Sequence, residues 1–594
     1  MNSSLLQDLL NGQPPFEKLA DSTRRKLSSY DGDLHAFLVQ NSGHMPQNIP
    51  ANRIAKICAL YQTEHTKRAV SNTLTSQGLA QKTADIITDA AGPQGAAWAE
   101  DNPFIAAEYL GWADVCALRQ TLNLPKDESR FLSAAVGTVL RDIEEEGDGS
   151  TLHSQDKLIE LLSSMLGTPE LAQRALECAW DAQRLSWHDA KGGGFQSISS
   201  AVMEQTIAEW VQKRIPPSEN LSAKTGMTQE DAVRLTLKSS LSLIYGSAGT
   251  GKTTLLGKIV TSARFQHRRV HLLALAAKAA RRIEEETGAE AMTIERFLLL
   301  VPKLKLKSND IIVVDEASML CLADLYRLVR AAGHCSFALI GDPIQLPPIQ
   351  TGRPFIDLLK LRSLPTAHLT TVFRQTQDNP VLHFALAVRE GDSQAAMKLL
   401  QSSTKNLVHI SPENNDVLSS VQTFHKQHPR QSQILSSVKD GQVGVHNINS
   451  TLARDNSIEH LLGYKSYPIG APVVVTKNIP DLNLDNGTLG VVYDPHSVSF
   501  SNGTKIPARD IMDSIMPAYA LTIHKAQGSQ WEHICLVIGR SRLLDRSLLY
   551  TAATRASTTL TIIGKTQDIL AAIQTPPRVF GIQTTLFERI GAQT

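Results

Sequence analysis

A glycine-rich turn between an apolar run and a helix-forming stretch constrains this chain more than any other feature. Residues 241–245 read as a buried strand and lead directly into Gly246-Ser-Ala-Gly-Thr-Gly-Lys-Thr253. Glycines in such a turn let backbone N–H groups approach an anion, which the N-terminus of the following helix also favours. In this pattern Lys252 is placed to reach the β- and γ-phosphates, and the Thr253 hydroxyl to hold Mg²⁺. The junction predicts a nucleoside-triphosphate site; the alternative is a glycine-rich turn without a ligand.

Seven residues of this turn and of the start of the helix are predicted to bind the nucleotide. They are Gly246, Gly249, Thr250, Gly251, Lys252, Thr253 and Thr254.

Composition sets the broad class of the protein. The 594 residues are enough for about three to five domains, and 42% hydrophobic with 20% charged residues is ordinary for a folded chain. The net charge of +1 gives no global basic field, so any nucleic-acid site must be a local groove. Six scattered cysteines without C-x-x-C pairs predict buried thiols in a reducing compartment. Without a signal-peptide pattern or a long apolar stretch, we expect a cytoplasmic protein with no membrane partner.

Further apolar runs downstream predict an α/β fold. Residues 269–276, 310–317 and 336–342 each read as a buried strand, and helical patterns separate them. This alternation is typical of a parallel sheet with both faces covered by helices. Because ligands gather at the carboxyl ends of such strands, we expect functional residues there.

Two of these strands end in residues suited to phosphate chemistry. Asp315 can hold the Mg²⁺ shell, and the adjacent Glu316 can orient and deprotonate an attacking water. An acidic pair after a strand is otherwise a common solvated turn, but its place downstream of the glycine-rich turn favours the catalytic interpretation. Gln345, in the proline-rich loop 341–348, is predicted to sense the γ-phosphate.

Five motifs then occur in one order, and together they carry a family resemblance. They are Asp315-Glu-Ala-Ser318, Gly341-Asp-x-x-Gln-Leu-Pro347, Phe373-Arg-Gln375, Thr522-Ile-His-Lys-Ala-Gln-Gly-Ser529 and Tyr550-Thr-Ala-Ala-Thr-Arg-Ala556. The set resembles the RecD-like helicases of the 5′→3′ branch of superfamily 1, over roughly residues 227–590. The resemblance implies two RecA-like motor domains with parallel sheets, ATP and Mg²⁺ as cofactors, and single-stranded DNA and single-strand–duplex junctions as partners.

The resemblance also implies roles for individual residues. Gln229 matches the glutamine that contacts adenine, although a helix-surface residue is the alternative. Arg374 and Arg555 match two arginines that approach the γ-phosphate from across a cleft. Such arginines stabilise transition-state charge only when both motor domains close, which couples hydrolysis to movement. Residues matching the family's DNA-backbone contacts are Lys278, Thr522, His524, Lys525, Gln527 and Gly528; for His524 a core or surface position is the alternative.

Residues 465–515 have a different character. They contain short strand patterns with Asn-Gly turns, and they resemble the small SH3-like β-barrel that the family inserts in its second motor domain. Lys477 and Asn478 are predicted to contact nucleic acid there, with an ordinary β surface as the alternative.

The predicted domain organisation follows from these patterns. Residues 51–215 form a mainly helical region with a degenerate helix–hairpin–helix at Gly78–Ile87 and a winged-helix-like hairpin around Lys191–Gly194. This region offers a surface for a protein partner, and a packed helical adaptor without DNA contact is the alternative. The full division is 1–50 weakly defined, 51–215 helical, 216–367 motor domain 1, 368–464 with 516–594 motor domain 2, and 465–515 the insertion.

Three departures from the family pattern bear on activity. The loop that grips single-stranded DNA reads Ala274-Leu-Ala-Ala-Lys-Ala-Ala280, without the family's threonine and glycine. In Thr293-Ile-Glu-Arg296, a carboxylate replaces the family's imidazole; it would repel a phosphate, cap a helix or pair with Arg296. Residues 298–309 leave room for at most a stub of the β-hairpin that splits the duplex.

The sequence therefore predicts an ATP-dependent 5′→3′ single-stranded DNA translocase or helicase. Three alternatives stay open: a motor subunit of a helicase–nuclease that needs a partner for strand separation, a nucleotide-gated binding module without productive unwinding, and an RNA motor. No metal-nuclease constellation is evident in the sequence.

Overall fold

The computed structural model divides into two compact units, which are described separately below. The first unit comprises Met1–Ile143, His153–Asp189 and Gly193–Ile198, and the second comprises Glu144–Leu152, Ala190–Gly192 and Ser199–Thr594. The structure describes the chain except for residues 1, 12, 17–18, 20, 41–48, 77–78, 92–101, 105–106, 108–109, 217–223, 372–378, 403, 412–416, 430, 456–460, 463–464, 480–481, 483, 502 and 592–594.

The first unit is mainly helical, as the sequence predicts for this region. Its helix ends carry sequence signals: Thr168 caps a helix whose first residue is Pro169, and Gly167 ends the preceding helix in the left-handed conformation. The helices are α1 (Asn2–Asn11), α2 (Asp21–Ser28), α3 (Leu34–Gln40), α4 (Ala51–Ser76), α5 (Gln81–Ala91), α6 (Trp112–Thr121), α7 (Ser129–Glu146), α8 (Gln155–Leu166) and α9 (Pro169–Asp181).

Two short features of this unit correspond to the DNA-binding resemblances. Strands β1 (Leu185–His188) and β2 (Gly194–Ser197) pair as an antiparallel hairpin. Helix α5 begins immediately after Ala80, whereas Gly78 lies outside the described residues. The winged-helix and helix–hairpin–helix assignments stay predictions.

The second unit opens with a seven-stranded parallel sheet in the order β3-β9-β4-β8-β7-β5-β6. Within β7, Ile312 and Val314 join one apolar core while Ile311 and Val313 join the core on the opposite face. Burial on both faces explains the continuous apolar runs of the sequence. The strands are β3 (Lys224–Thr225), β4 (Leu241–Gly246), β5 (Val270–Ala274), β6 (Ala291–Thr293), β7 (Ile311–Val314), β8 (Ser336–Gly341) and β9 (Thr366–Leu369).

Helices cover both faces of this sheet. They are α10 (Ile198–Gln212), α11 (Gln229–Lys238), α12 (Lys252–Phe265), α13 (Ala277–Thr287), α14 (Ile294–Leu304), α15 (Leu322–Ala332) and α16 (Pro354–Leu359). Helix α14 occupies most of the stretch between Thr293 and the strand at Ile311, and the described residues there contain no β-hairpin.

A second parallel sheet has the order β10-β21-β20-β11-β19. Its strands are β10 (Leu407–Ile410), β11 (Ser432–Ser436), β19 (Ala520–Thr522), β20 (Trp531–Val537) and β21 (Ala556–Ile563). Its helices are α17 (Pro380–Glu390), α18 (Ser393–Ser402), α19 (Val417–Gln427), α20 (Val445–Asp455), α21 (Arg546–Ala553) and α22 (Thr566–Gln574).

Between β11 and β19 the chain forms a five-stranded antiparallel sheet in the order β17-β16-β15-β14-β18. Its strands are β14 (Pro472–Val475), β15 (Leu489–Asp494), β16 (Ser497–Phe500), β17 (Lys505–Pro507) and β18 (Ile515–Pro517), preceded by the short pair β12 (Leu461–Leu462) and β13 (Lys465–Ser466). The comparison of this sheet with an SH3-like barrel stays a prediction.

The end of the chain returns to the first sheet. Val579, Ile582, Leu586 and Ile590 belong to the apolar core that contains Leu243 and Ile312, and helix α23 spans Leu586–Gly591. The sequence predicts that residues 516–594 belong with the second sheet, whereas these last apolar residues pack in the core of the first sheet. The reason is packing: apolar side chains spaced three or four residues apart need a buried partner, which the first sheet supplies.

The sequence predicts neither disulfide bonds nor membrane-spanning helices, and the described residues can be examined for both. All six cysteines are free thiols. No helix within the described part of the chain is both long and apolar enough to span a membrane.

Candidate nucleotide-binding and hydrolysis site

The glycine-rich turn lies between β4 and α12, where the sequence predicts it. Gly251 precedes the helix with φ +73°, a left-handed conformation that suits glycine. A Cβ on Gly246 would stand 2.7 Å from the Thr250 Oγ1 and 2.9 Å from the Leu369 carbonyl oxygen. Only glycine therefore fits there without moving the loop. The backbone of the turn has the form of a phosphate cradle at a helix N-terminus.

Lys252 and Gln229 are both held against this turn. The Lys252 Nζ donates hydrogen bonds to the carbonyl oxygens of Gly246 at 2.8 Å and Ser247 at 3.0 Å. The Gln229 side-chain amide donates to the Gly251 carbonyl oxygen at 3.1 Å and is buried. A capping box at Thr228 fixes the start of α11 and so the position of Gln229.

Asp315 and Glu316 follow β7 and face the same cleft as Lys252. Burial, followed by the charge of Glu316, raises the pKa of the Asp315 carboxyl to about 7, and Lys252 opposes the shift. Glu316 has φ +53°, and its Oε2 is buried without a hydrogen-bond partner among the described residues. Buried carboxylate oxygens without full hydrogen bonding need a cation or a water, so the pair fits a site for a metal-bound triphosphate.

The cleft has a volume of about 370 Å³ and draws its walls from both parallel sheets. Gln345 enters it from the loop after β8, and Arg555 enters it from the start of β21. Arg555 is almost completely buried and donates to the carbonyl oxygens of Thr551 at 3.1 Å and Ser529 at 3.3 Å. Burial lowers the pKa of its guanidinium, and the charge of Glu316 opposes the shift.

Most of the predicted nucleotide-site residues thus line one cleft. These are Gly249, Gly251, Lys252, Thr253, Thr254, Asp315, Glu316, Gln345 and Arg555, together with Gly528 from the predicted DNA-contact motif. Gly246, Thr250 and Gln229 stand behind this lining and shape the turn. Arg374 lies outside the described residues.

Sequence reasoning missed three residues here. Arg282 and Glu286 line the cleft from α13, where the Arg282 Nε donates to the Glu286 Oε1 at 2.7 Å. Tyr550, the first residue of the fifth motif, has no role predicted from the sequence, and it contacts the glycine-rich turn from α21. Arg282 lies four residues after Lys278, and only that helical spacing could have drawn attention to it.

The predicted nucleic-acid contacts between Thr522 and Gly528 lie at the end of β19 and directly after it. The Thr522 Oγ1 accepts a hydrogen bond from the Lys525 N–H at 3.3 Å. Burial and the charge of Arg578 lower the pKa of His524, which favours a neutral imidazole. The Gln527 Nε2 is buried without a hydrogen-bond partner among the described residues.

Lys278 points across the cleft toward the second sheet. Its ammonium lies 4.7 Å from the centroid of the Trp531 ring, within range of a cation–π contact. Burial lowers its pKa to about 8. Trp531 also lines a groove of about 1150 Å³ beside the antiparallel sheet, which contains none of the predicted catalytic residues.

The remaining predicted contacts are on the surface. Lys477 and Asn478 are exposed beside β14, and the Asn478 Oδ1 accepts a hydrogen bond from the Asn486 N–H at 2.8 Å.

Glu295 forms an ion pair with Arg327 rather than with Arg296, and this bond lowers the pKa of the Glu295 carboxyl. The cap of helix α14 is Thr293, so two of the three expected roles for Glu295 do not apply.

Two family models match the chain: an AAA domain at residues 224–411 and a UvrD-like helicase C-terminal domain at 517–563. The ATP-dependent RecD2 DNA helicase of Deinococcus radiodurans is 29% identical over 528 residues, which cover 82% of this chain and 72% of the relative. The RecBCD enzyme subunit RecD of Mycolicibacterium smegmatis is 30% identical over 405 residues, covering 58% of this chain and 72% of the relative. A crystal structure of Bacteroides Pif1 bound to single-stranded DNA aligns with a TM-score of 0.40 and 17% identity over 56% of this chain and 91% of that chain.

A glycine-rich phosphate turn on one parallel sheet and a buried arginine from a second sheet define a P-loop ATPase with two RecA-like domains. Given the identity and coverage of its relatives, the chain belongs to the RecD-like family of ATP-dependent DNA helicases.

Proposed function

We propose that the protein hydrolyses ATP to move 5′→3′ along single-stranded DNA. One observation carries this proposal: Arg555 of the second sheet lies in the same cleft as Lys252 and Glu316 of the first. A hydrolytic site assembled from two domains links each turnover to their approach and separation, which is how a motor couples chemistry to movement.

The chain's residues divide the chemistry among them. Lys252 and Arg555 neutralise the charge that develops on the transferred phosphoryl group, and Glu316 orients and deprotonates the water. Asp315 and Thr253 are the residues that would hold Mg²⁺, and the ion would supply positive charge against the phosphates. Gln229, behind the turn, is the proposed adenine contact, and Gln345 the proposed γ-phosphate contact.

DNA is the proposed nucleic-acid substrate because the Deinococcus relative is named a DNA helicase. The proposed contacts are Lys278, Thr522, His524, Lys525, Gln527, Gly528, Lys477 and Asn478. The polarity rests on the resemblance to the 5′→3′ branch.

The test uses matched duplexes that carry either a 5′ or a 3′ single-stranded tail, with phosphate release followed in the same tubes. Unwinding from the 5′ tail alone supports the proposal, and unwinding from the 3′ tail alone contradicts the polarity. Competition between single-stranded DNA and an RNA oligomer of the same length and sequence shows which of the two the protein prefers.

A second candidate is a translocase that relies on a partner for strand separation. The observation that favours it is the helix at Ile294–Leu304, because the described residues between Thr293 and Ile311 contain no β-hairpin that could split the duplex. The Mycolicibacterium relative is itself named as a subunit of the RecBCD enzyme. DNA-stimulated hydrolysis without unwinding of either duplex supports this candidate, whereas unwinding by the isolated chain contradicts it.

A further inference from the structure

Helix α21 of the second sheet inserts a buried hydroxyl between two loops of the first. Tyr550 is completely buried. Its hydroxyl donates a hydrogen bond to the Asp342 Oδ2 at 2.7 Å and accepts one from the Ala248 N–H at 2.9 Å. Ala248 belongs to the glycine-rich turn, and Asp342 follows β8. One phenol therefore joins the phosphate turn to the loop that carries Gln345.

The next residue of α21 adds a second contact to the same loop. The Thr551 Oγ1 accepts a hydrogen bond from the Leu346 N–H at 3.1 Å. On the other side, the Gln345 N–H donates to the Asp342 carbonyl oxygen at 3.1 Å. Gln345 is thus held between two points that α21 fixes. The carbonyl oxygen of Thr551 also accepts from the Arg555 Nε, so the arginine is anchored to the same turn.

The surroundings make these bonds costly to lose. Asp342 is completely buried, and its Oδ1 accepts from the Ile344 N–H at 3.2 Å, with the Arg389 Nε 4.0 Å away. Burial and the charge of Asp342 raise the pKa of Tyr550, which keeps the phenol protonated as a donor. If the two sheets separate, buried Asp342 and Ala248 lose a partner at the same time.

We propose that Tyr550 is a positioning residue for ATP hydrolysis, which rests on the proposed function above. Through its hydrogen bonds to Asp342 and Ala248, Tyr550 holds Gln345 and the phosphate turn in position relative to Arg555. These bonds exist only while the two sheets are together. Tyr550 is not among the described residues that line the cleft of Lys252 and Arg555. The hydrogen bonds of its hydroxyl form when the cleft closes. Gln345 and Arg555 are the residues that act on the phosphate.

The test is Tyr550→Phe, which keeps the ring and removes the hydroxyl. We expect the DNA-stimulated kcat to fall about tenfold, in line with the loss of buried hydrogen bonds. The KM for ATP should stay within about twofold, because the hydroxyl acts on the arrangement of the catalytic groups rather than on ATP binding. The matched control is Tyr61→Phe. Tyr61 is also completely buried, and its hydroxyl is bonded to the His35 Nδ1 at 2.9 Å in the first unit. Neither constant should change in the control.

Each outcome has a defined meaning. If the wild-type protein does not hydrolyse ATP, the proposed function fails. If it does and Tyr550→Phe retains its kcat, or raises KM alone, the positioning role is overturned. If Tyr550→Phe does not show a cooperative thermal unfolding transition, Thr551→Val replaces it, because that change removes only the Leu346 contact. A lower kcat at constant KM in Thr551→Val then supports the role of α21, and an unchanged kcat overturns it.

Discussion

At the scale of single residues, the site brings two adjacent carboxylates and two cationic side chains into one cleft. Asp315 and Glu316 are adjacent, half-buried carboxylates, and the pKa of Asp315 is raised to about 7 by desolvation and by its neighbour. Lys252 and Arg555 face them from two different sheets. Their separate roles can be distinguished by changing one side chain at a time.

Glu316→Gln should abolish turnover and leave nucleotide binding intact. The amide keeps the size of the side chain but cannot accept the proton of the attacking water, so kcat should fall about 10²- to 10⁴-fold. Phosphate release measures the first effect and titration with a fluorescent ATP analogue the second. The control is Glu285→Gln, an exposed carboxylate on α13. Retained hydrolysis in Glu316→Gln would show that another residue positions the water.

Arg555→Ala should reduce DNA-stimulated hydrolysis by about 10³-fold or more, as expected for an arginine that stabilises transition-state charge. ATP affinity should change far less. Arg540→Ala is the control, since Arg540 is 79% exposed and forms a surface ion pair with Asp568. A collapse of ATP affinity with kcat preserved would show that Arg555 binds the ground state instead.

At the scale of elements, the strand–turn–helix unit from β4 to α12 contains two glycines with different surroundings. Gly246 is closely surrounded by the Thr250 Oγ1 and the Leu369 carbonyl oxygen. Gly257 lies inside α12, where an added Cβ would find its nearest neighbour at 3.8 Å. The same substitution should therefore have opposite effects at these two positions.

Gly246→Ala should weaken ATP binding about tenfold or more, because the phosphate turn must move to accommodate the Cβ. Gly257→Ala is its matched partner and should raise the free energy of unfolding by about 0.5–1 kcal/mol, the usual gain for alanine over glycine inside a helix. Titration with ATP and chemical denaturation of both variants check the pair. Equal ATP affinity in both would show that the turn tolerates a side chain.

At the scale of the whole molecule, the chain links the two parallel sheets more than once. The polypeptide leaves the second sheet after α22, and its last apolar residues pack in the core of the first sheet. Glu204 of α10 reinforces this return: its Oε2 accepts a hydrogen bond from the Thr585 N–H at 3.0 Å, and its Oε1 accepts from the Thr151 Oγ1 at 2.7 Å. The carboxyl-terminal segment should therefore contribute to the stability of the first sheet.

Leu586→Ala should lower the free energy of unfolding by about 2–5 kcal/mol, since Leu586 is 1% exposed in that core. Leu299→Ala is the control, because Leu299 is 78% exposed and a surface change of this kind stays within about 0.5 kcal/mol. Denaturant unfolding of both variants measures the difference. An unchanged stability in Leu586→Ala would show that the carboxyl-terminal segment is not part of the folded core.

Much of the fold was readable from local pattern. Buried strands of a parallel sheet are continuous apolar runs, and β5, β7 and β8 lie within the runs that the sequence predicts. Helices of the first unit start and end at residues such as Thr168 and Gly167, whose signals are local. The sheet against which Val579–Ile590 packs could not be predicted. An apolar spacing shows that a buried partner is needed, but it does not show which sheet supplies that partner.

The sequence by itself determined the class of chemistry, because the turn Gly246–Thr253 and the pair Asp315–Glu316 depend on residue type and short spacing. Only the tertiary structure decided that Arg555 stands in the same cleft as Lys252, that Lys278 lies over Trp531, and that Tyr550 joins Asp342 to Ala248. These contacts join residues that are hundreds of positions apart in the chain. Such contacts arise from sheet order and domain packing, which no local pattern records.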